Sequence, residues 1–367
     1  MADTERILAL MRGEGRGLKP WSARATLRML SGLYGLGIGA YLALYRVGIL
    51  KRVHLRPVVI SVGNLTVGGA GKTTTIQYLA ELLCREGLRP AVLSYGYRAG
   101  ARDSVGVVSD GSTVLMSAAE AGDEAALLAG YLPGVPVLIG RRRVISGAEA
   151  DQRFQPDVLL CDDAFQYWRL HRDIDLLLVD AVEPWGYGFV LPRGLMREPK
   201  RQARRADAIL ITHADVVPQE RLKALQAELT RFGRPVWTSR HRAERLDDLN
   251  GKRVAALDSL NGLGVLAVSS LGDPTSFEAA LTAAGAVVTP MRFADHHRYS
   301  NDDVRAAENR ASEGGMQIVT TAKDAVKVRM LSPGAGWRVL RIALDVANAP
   351  SFDQWVTKAI NQLPASR

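Results

Sequence analysis

Cysteine is nearly missing: Cys84 and Cys161 are the only two in 367 residues. They lie far apart in apolar stretches, which excludes a disulfide framework and suits a reducing compartment. Two such residues cannot by themselves build a metal site. Histidine is sparse as well, at six, and no Cys-x-x-Cys occurs, so the clusters of a metal-carrying protein are not there. No low-complexity tract and no repeat at solenoid spacing is present. The remainder is ordinary for a folded enzyme, 47% hydrophobic and 23% charged, in a chain long enough for two domains.

Acid is scarce at the beginning of the chain. Residues 1–56 carry ten basic side chains against Asp3, Glu5 and Glu14, and so hold seven of the nine net positive charges. A basic end can address nucleic acid or an anionic membrane, and charge alone does not choose. The neighbouring sequence does. Between Arg28 and Arg46 runs MLSGLYGLGIGAYLALY, uncharged, at the short edge of the ~17–25 residues a helix needs to span hydrocarbon. Gly32, Gly35, Gly37 and Gly39 weaken such a helix in water, while Tyr34, Tyr41, Tyr45 and the flanking arginines suit the headgroup layer. As a secretory signal it fits poorly, with a late start and no small-residue cleavage site. Residues 1–56 are read as a membrane-associating helix region that dips into the interface; a true span and a core helix are the alternatives. No second hydrophobic stretch is long enough to span.

From Pro57 the pattern alternates strand, loop and helix. PVVISVG, PAVLSYGY, VPVLIG, DVLLCDD, IDLLLVDA and ADAILITHAD are apolar strands, interleaved with the helical patterns TTIQYLAELLCREG and EAALLAGYL. Such runs require a mostly parallel sheet covered on both faces, and they predict a doubly wound α/β domain of P-loop NTPase type over 57–240. The segment RHRAERLDDLNGKR reads as an irregular, basic boundary. Beyond it GVLAVSSLG, FEAALTAAG, QIVTTAKDAVK and WRVLRIAL predict a smaller α/β unit over 241–367, closing over the site, with a final amphipathic helix that packs back on the first domain.

The sharpest motif runs from Val58 to Thr75. A strand ends near Val62 and a loop follows, Thr66-Val67-Gly68-Gly69-Ala70-Gly71, before Lys72-Thr73-Thr74 opens a helix. Glycines let backbone N–H groups turn onto phosphate oxygens, and the helix N-terminus adds positive charge. Lys72 would reach the β- and γ-phosphates and the Thr73 hydroxyl would ligate Mg²⁺. Thr66 stands where the strict pattern has its first glycine. A carboxylate on a neighbouring strand end must hold the metal shell; Asp162 and Asp163 supply a pair, and Asp180 is a competing candidate.

Other P-loop classes fit less well. A partitioning ATPase has lysine where this chain has Val67, and Thr321-Ala322-Lys323-Asp324 does not match the guanine-reading Asn-Lys-x-Asp. A P-loop switch or metallochaperone and a soluble small-molecule kinase remain the alternatives. By the residues alone, Asp123 equally suits the first turn of a helix, His296 a plain loop, and Arg143 and Arg197 solvated surface.

The ordered set SVGNLTVGGAGKTT, LSYGY, AGDEAALLA, IGRRRV, DDAFQYWRLHRDIDLLLVD, LPRGLMREP, FADHHRY and TTAKDAVK resembles the tetraacyldisaccharide 4′-kinases, over about residues 20–350. These are the lipid A 4′-kinases of bacteria with an outer membrane. Departures occur at Tyr95, Ala125, Ala164 and Tyr167, where the family has arginine, proline, glycine and histidine, and at Leu195-Met196, where it has proline and leucine; none removes a carboxylate or the P-loop lysine. The resemblance implies transfer of the ATP γ-phosphate to the 4′-hydroxyl of a tetraacyldisaccharide 1-phosphate, with ATP and Mg²⁺ as cofactors. It implies Asp123 as the base or positioning carboxylate, oriented by His296. Thr73, Asp162, Asp163 and Glu124 then arrange the metal, and Arg143 and Arg197 meet the γ-phosphate or the lipid's own phosphate. Lys323 and Asp324 help close the site. The implied partners are an amphiphilic disaccharide lipid and a membrane surface, with no nucleic acid and no obligate protein partner. The implied location is the cytoplasmic face of the inner membrane, peripheral or monotopic.

Overall fold

The computed structural model describes residues 2–14, 18–96, 105–272, 274–295 and 297–363. Two helices come first, α1 (Ala2–Arg12) and α2 (Leu18–Arg46), the second covering the uncharged stretch and its flanks. The alternating part then runs β1 (Val58–Asn64), α3 (Lys72–Arg85), β2 (Pro90–Ser94), β3 (Gly106–Asp110), α4 (Ala118–Ala121) and α5 (Asp123–Tyr131). It continues through β4 (Pro136–Ile139), α6 (Arg143–Phe154), β5 (Val158–Asp162), β6 (Ile174–Asp180), β7 (Ala208–Thr212) and α7 (Gln219–Thr230). The last third holds β8 (Val236–Asp247), β9 (Arg253–Ala256), β10 (Gly264–Ser269), α8 (Thr275–Ala283), β11 (Val287–Arg292) and α9 (Asn301–Glu313). It ends with β12 (Gln317–Thr321), α10 (Ala322–Val328), β13 (Trp337–Val346) and α11 (Ala349–Asn361).

The apolar strands behave as their composition requires. β2, β5 and β7 are buried at every position, because helices cover both faces. The strands lie in the order β3-β4-β2-β5-β1-β6-β7-β8, all parallel except the edge strand β3. The order reverses around β1, with β5 on one side and β6 on the other. The C-terminal ends of these strands are where an open α/β sheet binds its ligand.

One strand carries the sheet onward. Val236, Trp237 and Thr238 of β8 pair in parallel with β7, and from Ser239 to Asp247 the same strand pairs antiparallel with β13. β12, β10 and β11 follow in parallel, and β9 pairs with β8 off this path, giving one 13-stranded sheet. The segment read as irregular from Arg240 is therefore strand as far as Asp247, with a turn only before β9. Its charges hid it, and the structure shows why they are tolerated: Arg240 meets Asp345 across the strands at 2.8 Å, and Arg245 Nε donates to Asp247 at 2.7 Å. β3, β9 and β11 were also not foreseen, being short or half-exposed.

The final helix does pack back. Phe352, Val356 and Ile360 of α11 join one apolar cluster with Ile60, Ile76, Leu79 and Leu83 around the first strand.

Candidate active site

Between β1 and α3 the chain must turn its backbone inward. Gly68 has φ +125° and Gly71 φ +75°, where a side chain is disfavoured, and a β-carbon on Gly71 would sit 3.2 Å from His241 Nε2. Gly71 caps α3, and its carbonyl accepts from Thr75 N at 3.1 Å. The Thr66 departure has a local reason. Thr66 is buried, accepts from Asn64 Nδ2 at 3.1 Å and bridges to Met196, while Val67 N donates to Leu195 O at 2.8 Å. A second loop thus braces the first, and that bracing loop is where the Leu195-Met196 departure lies. Val67 is exposed, Ala70 is buried, and Gly69 lines the turn with open space beside it.

Lys72 folds back over this loop. Its Nζ donates to Asn64 Oδ1 at 3.1 Å and to Gly68 O at 3.3 Å, and lies 3.8 Å from Asp163 Oδ1. Thr73 is half-buried at the second position of α3. Thr74 Oγ1 donates to Gly71 O at 3.0 Å and lies 2.9 Å from His241 Nε2.

The paired aspartates end β5 with opposite environments. Asp162 is buried; Ser94 Oγ donates to its Oδ2 at 3.2 Å, and its Oδ1 has no hydrogen-bond partner among the described residues. Burial, then the charge of Glu124, pushes its carboxyl up to about 6. Asp163 sits at φ +51°, its N–H donating to Val62 O at 2.9 Å. Burial works against its charge, but Arg197 and Lys72 outweigh it and hold the carboxyl below the usual range. Arg197 grips both Asp163 oxygens, at 2.7 and 2.8 Å, and reaches Asn64 Oδ1 at 2.8 Å. The close approach behind them depends on Gly63, where a β-carbon would fall 2.7 Å from Phe165 Cβ.

Arg143 stands deeper, 2% exposed, donating to the carbonyls of Gly140 and Asp162 at 2.7 Å each. Burial lowers its guanidinium pKa. Its Nε has no hydrogen-bond partner among the described residues. Asp180 lies across β1 from this pair, 3.2 Å from His213 Nδ1.

Asp123 and Glu124 open α5, and both meet lysines of α10. Lys327 Nζ lies 3.2 Å from Asp123 Oδ2, and Lys323 Nζ lies 3.8 Å from Glu124 Oε1. Asp324 is fully buried and accepts from Ser270 N at 3.0 Å and from Thr321 Oγ1 at 2.7 Å, so it anchors α10 instead of facing solvent. His296 and Tyr97 lie outside the described residues. His297, beside the former, contacts Asp303 at 3.0 Å.

Two residues of this constellation escaped the sequence reading. Asn64 is buried between Lys72, Arg197 and Thr66, and Lys327 touches Asp123. The signals were present: an amide ending an otherwise apolar strand, and a lysine one helical turn beyond Lys323 and Asp324.

Mg²⁺ takes hard oxygen ligands and needs only one or two carboxylates beside water and phosphate. The unpartnered Asp162 Oδ1 and the Thr73 hydroxyl fit that demand. Among the described residues no group of three or more His, Cys, Asp or Glu is placed to hold a metal ion, which disfavours a zinc-type cage.

α2 lies against the bracing loop. Ser31 Oγ donates to Val190 O at 2.8 Å and accepts from Arg193 N at 2.9 Å, and the Tyr34 hydroxyl donates to the Arg197 carbonyl at 3.0 Å. On the opposite face Leu33 is 60% and Leu36 72% exposed, in line with exposed Met29 and Leu44. Pro20–Arg46 is long and apolar enough to cross a membrane, yet one face is hydrogen-bonded to the enzyme body.

The family model described as tetraacyldisaccharide-1-P 4′-kinase matches residues 23–361. A tetraacyldisaccharide 4′-kinase of Anaeromyxobacter sp. strain Fw109-5 is 43% identical over 308 residues, covering 83% of this chain and 82% of that one. One from Desulfatibacillum aliphaticivorans is 37% identical, covering 90% and 91%. The crystal structure of the apo form of LpxK from Aquifex aeolicus in complex with ATP superposes with a TM-score of 0.77 at 31% identity, covering 92% of this chain and 99% of that one. With sequence, family model and fold in agreement over nearly the whole length, the chain belongs to the tetraacyldisaccharide-1-P 4′-kinase family.

Proposed function

We propose that this chain transfers the γ-phosphoryl group of ATP to the 4′-hydroxyl of the tetraacyldisaccharide 1-phosphate precursor of lipid A. It works at the cytoplasmic face of the inner membrane as a peripheral or monotopic protein. The observation that carries the reading is the meeting, at the ends of the parallel strands, of the P-loop lysine and the Asp162–Asp163 pair, with Glu124, next to Asp123 at the start of α5, near enough to raise the Asp162 pKa.

The backbone of residues 66–74 and the N-terminus of α3 bind the phosphates, and Lys72 swings from Asn64 to the β- and γ-phosphates. Arg197 keeps Asp163 ionised and in place. Thr73 and Asp162 would hold Mg²⁺, with Asp163 and Glu124 reaching its water shell, and the metal when bound neutralises developing phosphate charge. Asp123 takes the proton of the 4′-hydroxyl as its oxygen bonds to the γ-phosphorus; the bond to the bridging oxygen breaks and ADP leaves. His296 orients Asp123 in this reading. Arg143, behind Asp162, supports the strand ends by its carbonyl contacts and supplies positive charge from beneath the aspartate pair. Residues 57–240 form the kinase core and 241–367 the part that closes over it. The apolar face of α2 brings the site to a head group anchored in the bilayer.

The test is phosphorylation of purified disaccharide 1-phosphate lipid in mixed micelles with ATP and Mg²⁺. Product carrying phosphate at the 4′ position is expected, and ATP turnover without lipid phosphorylation would sink the reading.

A further inference from the structure

Lys327 is half-buried, with its side chain largely withdrawn from water, where a lysine is costly. Its side chain is 12% exposed, and an ammonium withdrawn from water must direct all three donors at partners. It does so. Nζ lies 3.2 Å from Asp123 Oδ2, donates to Ser270 Oγ at 3.2 Å, and lies 3.7 Å from Asp324 Oδ1. The last two are fixed by the rest of the fold. Asp324 accepts from the Ser270 backbone at 3.0 Å, from the Ser270 hydroxyl, and from Thr321 Oγ1 at 2.7 Å, while Asp324 N donates back to Thr321 Oγ1 at 3.2 Å. A rigid anchor at the end of β10 and the start of α10 thus ends in one ammonium placed on the carboxylate of Asp123. The neighbouring pair shows the contrast: Lys323 and Glu124 are 39% and 46% exposed at 3.8 Å, the kind of surface pair that contributes little.

We infer that Lys327 is a positioning residue for the phosphoryl acceptor, fixing the orientation of the Asp123 carboxylate through the Ser270–Asp324 anchor. This rests on Asp123 as the group that takes the hydroxyl proton. By holding Oδ2, Lys327 sets the carboxylate plane and hence the direction in which the lone pairs meet the incoming hydroxyl. It also makes the acceptor geometry depend on the C-terminal third of the chain, since Asp123 sits on α5 and its anchor on β10 and α10. A carboxylate released at Oδ2 would spend more of its time misaligned, and misplacement by about 1 Å can cost roughly 100-fold in rate.

The experiment compares Lys327→Met, Lys327→Arg and Ser270→Ala, each alone and with Asp123→Asn, in the full-length protein with lipid acceptor, ATP and Mg²⁺. Lys327→Met is expected to lower kcat about 30-fold with KM for ATP changed less than about twofold. Lys327→Arg restores most of the loss. In the Asp123→Asn background Lys327→Met adds less than about threefold, because an absent base cannot be misaligned. A kcat near wild type, an effect confined to KM or Tm, or penalties that multiply would overturn the inference. Should Lys327→Met fail to fold, Ser270→Ala keeps the charge and loosens the anchor; a several-fold kcat loss that vanishes with Asp123→Asn supports the inference, and no kcat loss overturns it. Failure of the parent reading looks different: wild type then makes no 4′-phosphate, or Asp123→Asn keeps full activity, and the inference falls with it.

Discussion

Lys72 and Lys327 each place an ammonium against an aspartate of the same site, and they were built in opposite ways. Lys72 draws on neighbours: Asn64 and Gly68 lie within eight residues, and the turn that joins them is set by the chain itself. Lys327 draws on Asp123 and Ser270, the second 57 residues away, and has no geometry until three distant segments have met. A phosphate cradle can be local because it is made of backbone N–H groups and one helix end. Aligning a carboxylate with an incoming hydroxyl takes side chains from elsewhere in the fold. The first corner is a motif and the second is an assembly.

That contrast can be broken most directly at its first member. Lys72→Ala is expected to lower kcat about 10³-fold while Tm stays close to wild type, since the side chain hydrogen-bonds Asn64 and Gly68 of its own loop and flanking strand and lies 3.8 Å from Asp163. Retention of more than about a tenth of activity, one 1.4 kcal/mol step in barrier, would remove Lys72 from the mechanism. Asp123→Asn should cost about 10²-fold or more in kcat, with ATP affinity measured by calorimetry unchanged. Loss of nucleotide binding instead would move Asp123 to the metal shell and join the two corners into one.

The membrane helix bears on the same contrast, because Ser31 and Tyr34 hydrogen-bond the loop that braces the Lys72 side. Tyr34 donates to Arg197, which holds Asp163 and Asn64. Leu33→Asp with Leu36→Asp, on the opposite face, should reduce co-sedimentation with anionic vesicles more than tenfold, by the hydrophobic contribution of two leucines. ATP affinity should not change, since the Ser31 and Tyr34 contacts remain; an altered ATP affinity would show that the helix acts through the P-loop as well as the bilayer.

The smallest effect is on stability. His241 leans on the P-loop at Thr74, with His213, Asp215 and Asp180 nearby; burial, then His213, lowers its pKa to about 4. The unfolded chain therefore binds a proton between about pH 6.5 and 4 that the native protein refuses, so stability falls as pH drops through that window. His213 works the other way: Asp180 raises it, so its contribution is present at low pH and lost as pH rises. His241→Gln should flatten the acid limb of a urea-denaturation series by on the order of 2 kcal/mol. An unchanged limb would show that His241 is protonated in the native protein.

Legibility followed the same division. The run from Val58 to Thr75 announced a strand, a phosphate loop and a helix, and the structure has them at Val58–Asn64 and Lys72–Arg85. Asp162 and Asp163 were legible as a strand-end pair; their different environments were not, because Arg197 reaches only one of them, from 34 residues away. β8 was misread beyond Arg240, since its charges are matched by Asp345 on a strand about a hundred residues later. Arg143 read as a solvated or phosphate-facing cation and lies buried under Asp162.

What the sequence by itself determined is whatever the backbone settles within a few residues: apolar period, glycines at positive φ, a lysine opening a helix, an uncharged stretch between arginines. What only the tertiary structure decided is which charge meets which. Burial and a few ångströms distinguish Asp162, held only by Ser94 on one oxygen, from the gripped Asp163, and the anchored Lys327 from the exposed Lys323. Electrostatic interaction depends on distance and desolvation, and neither is written in the spacing of residues along a chain.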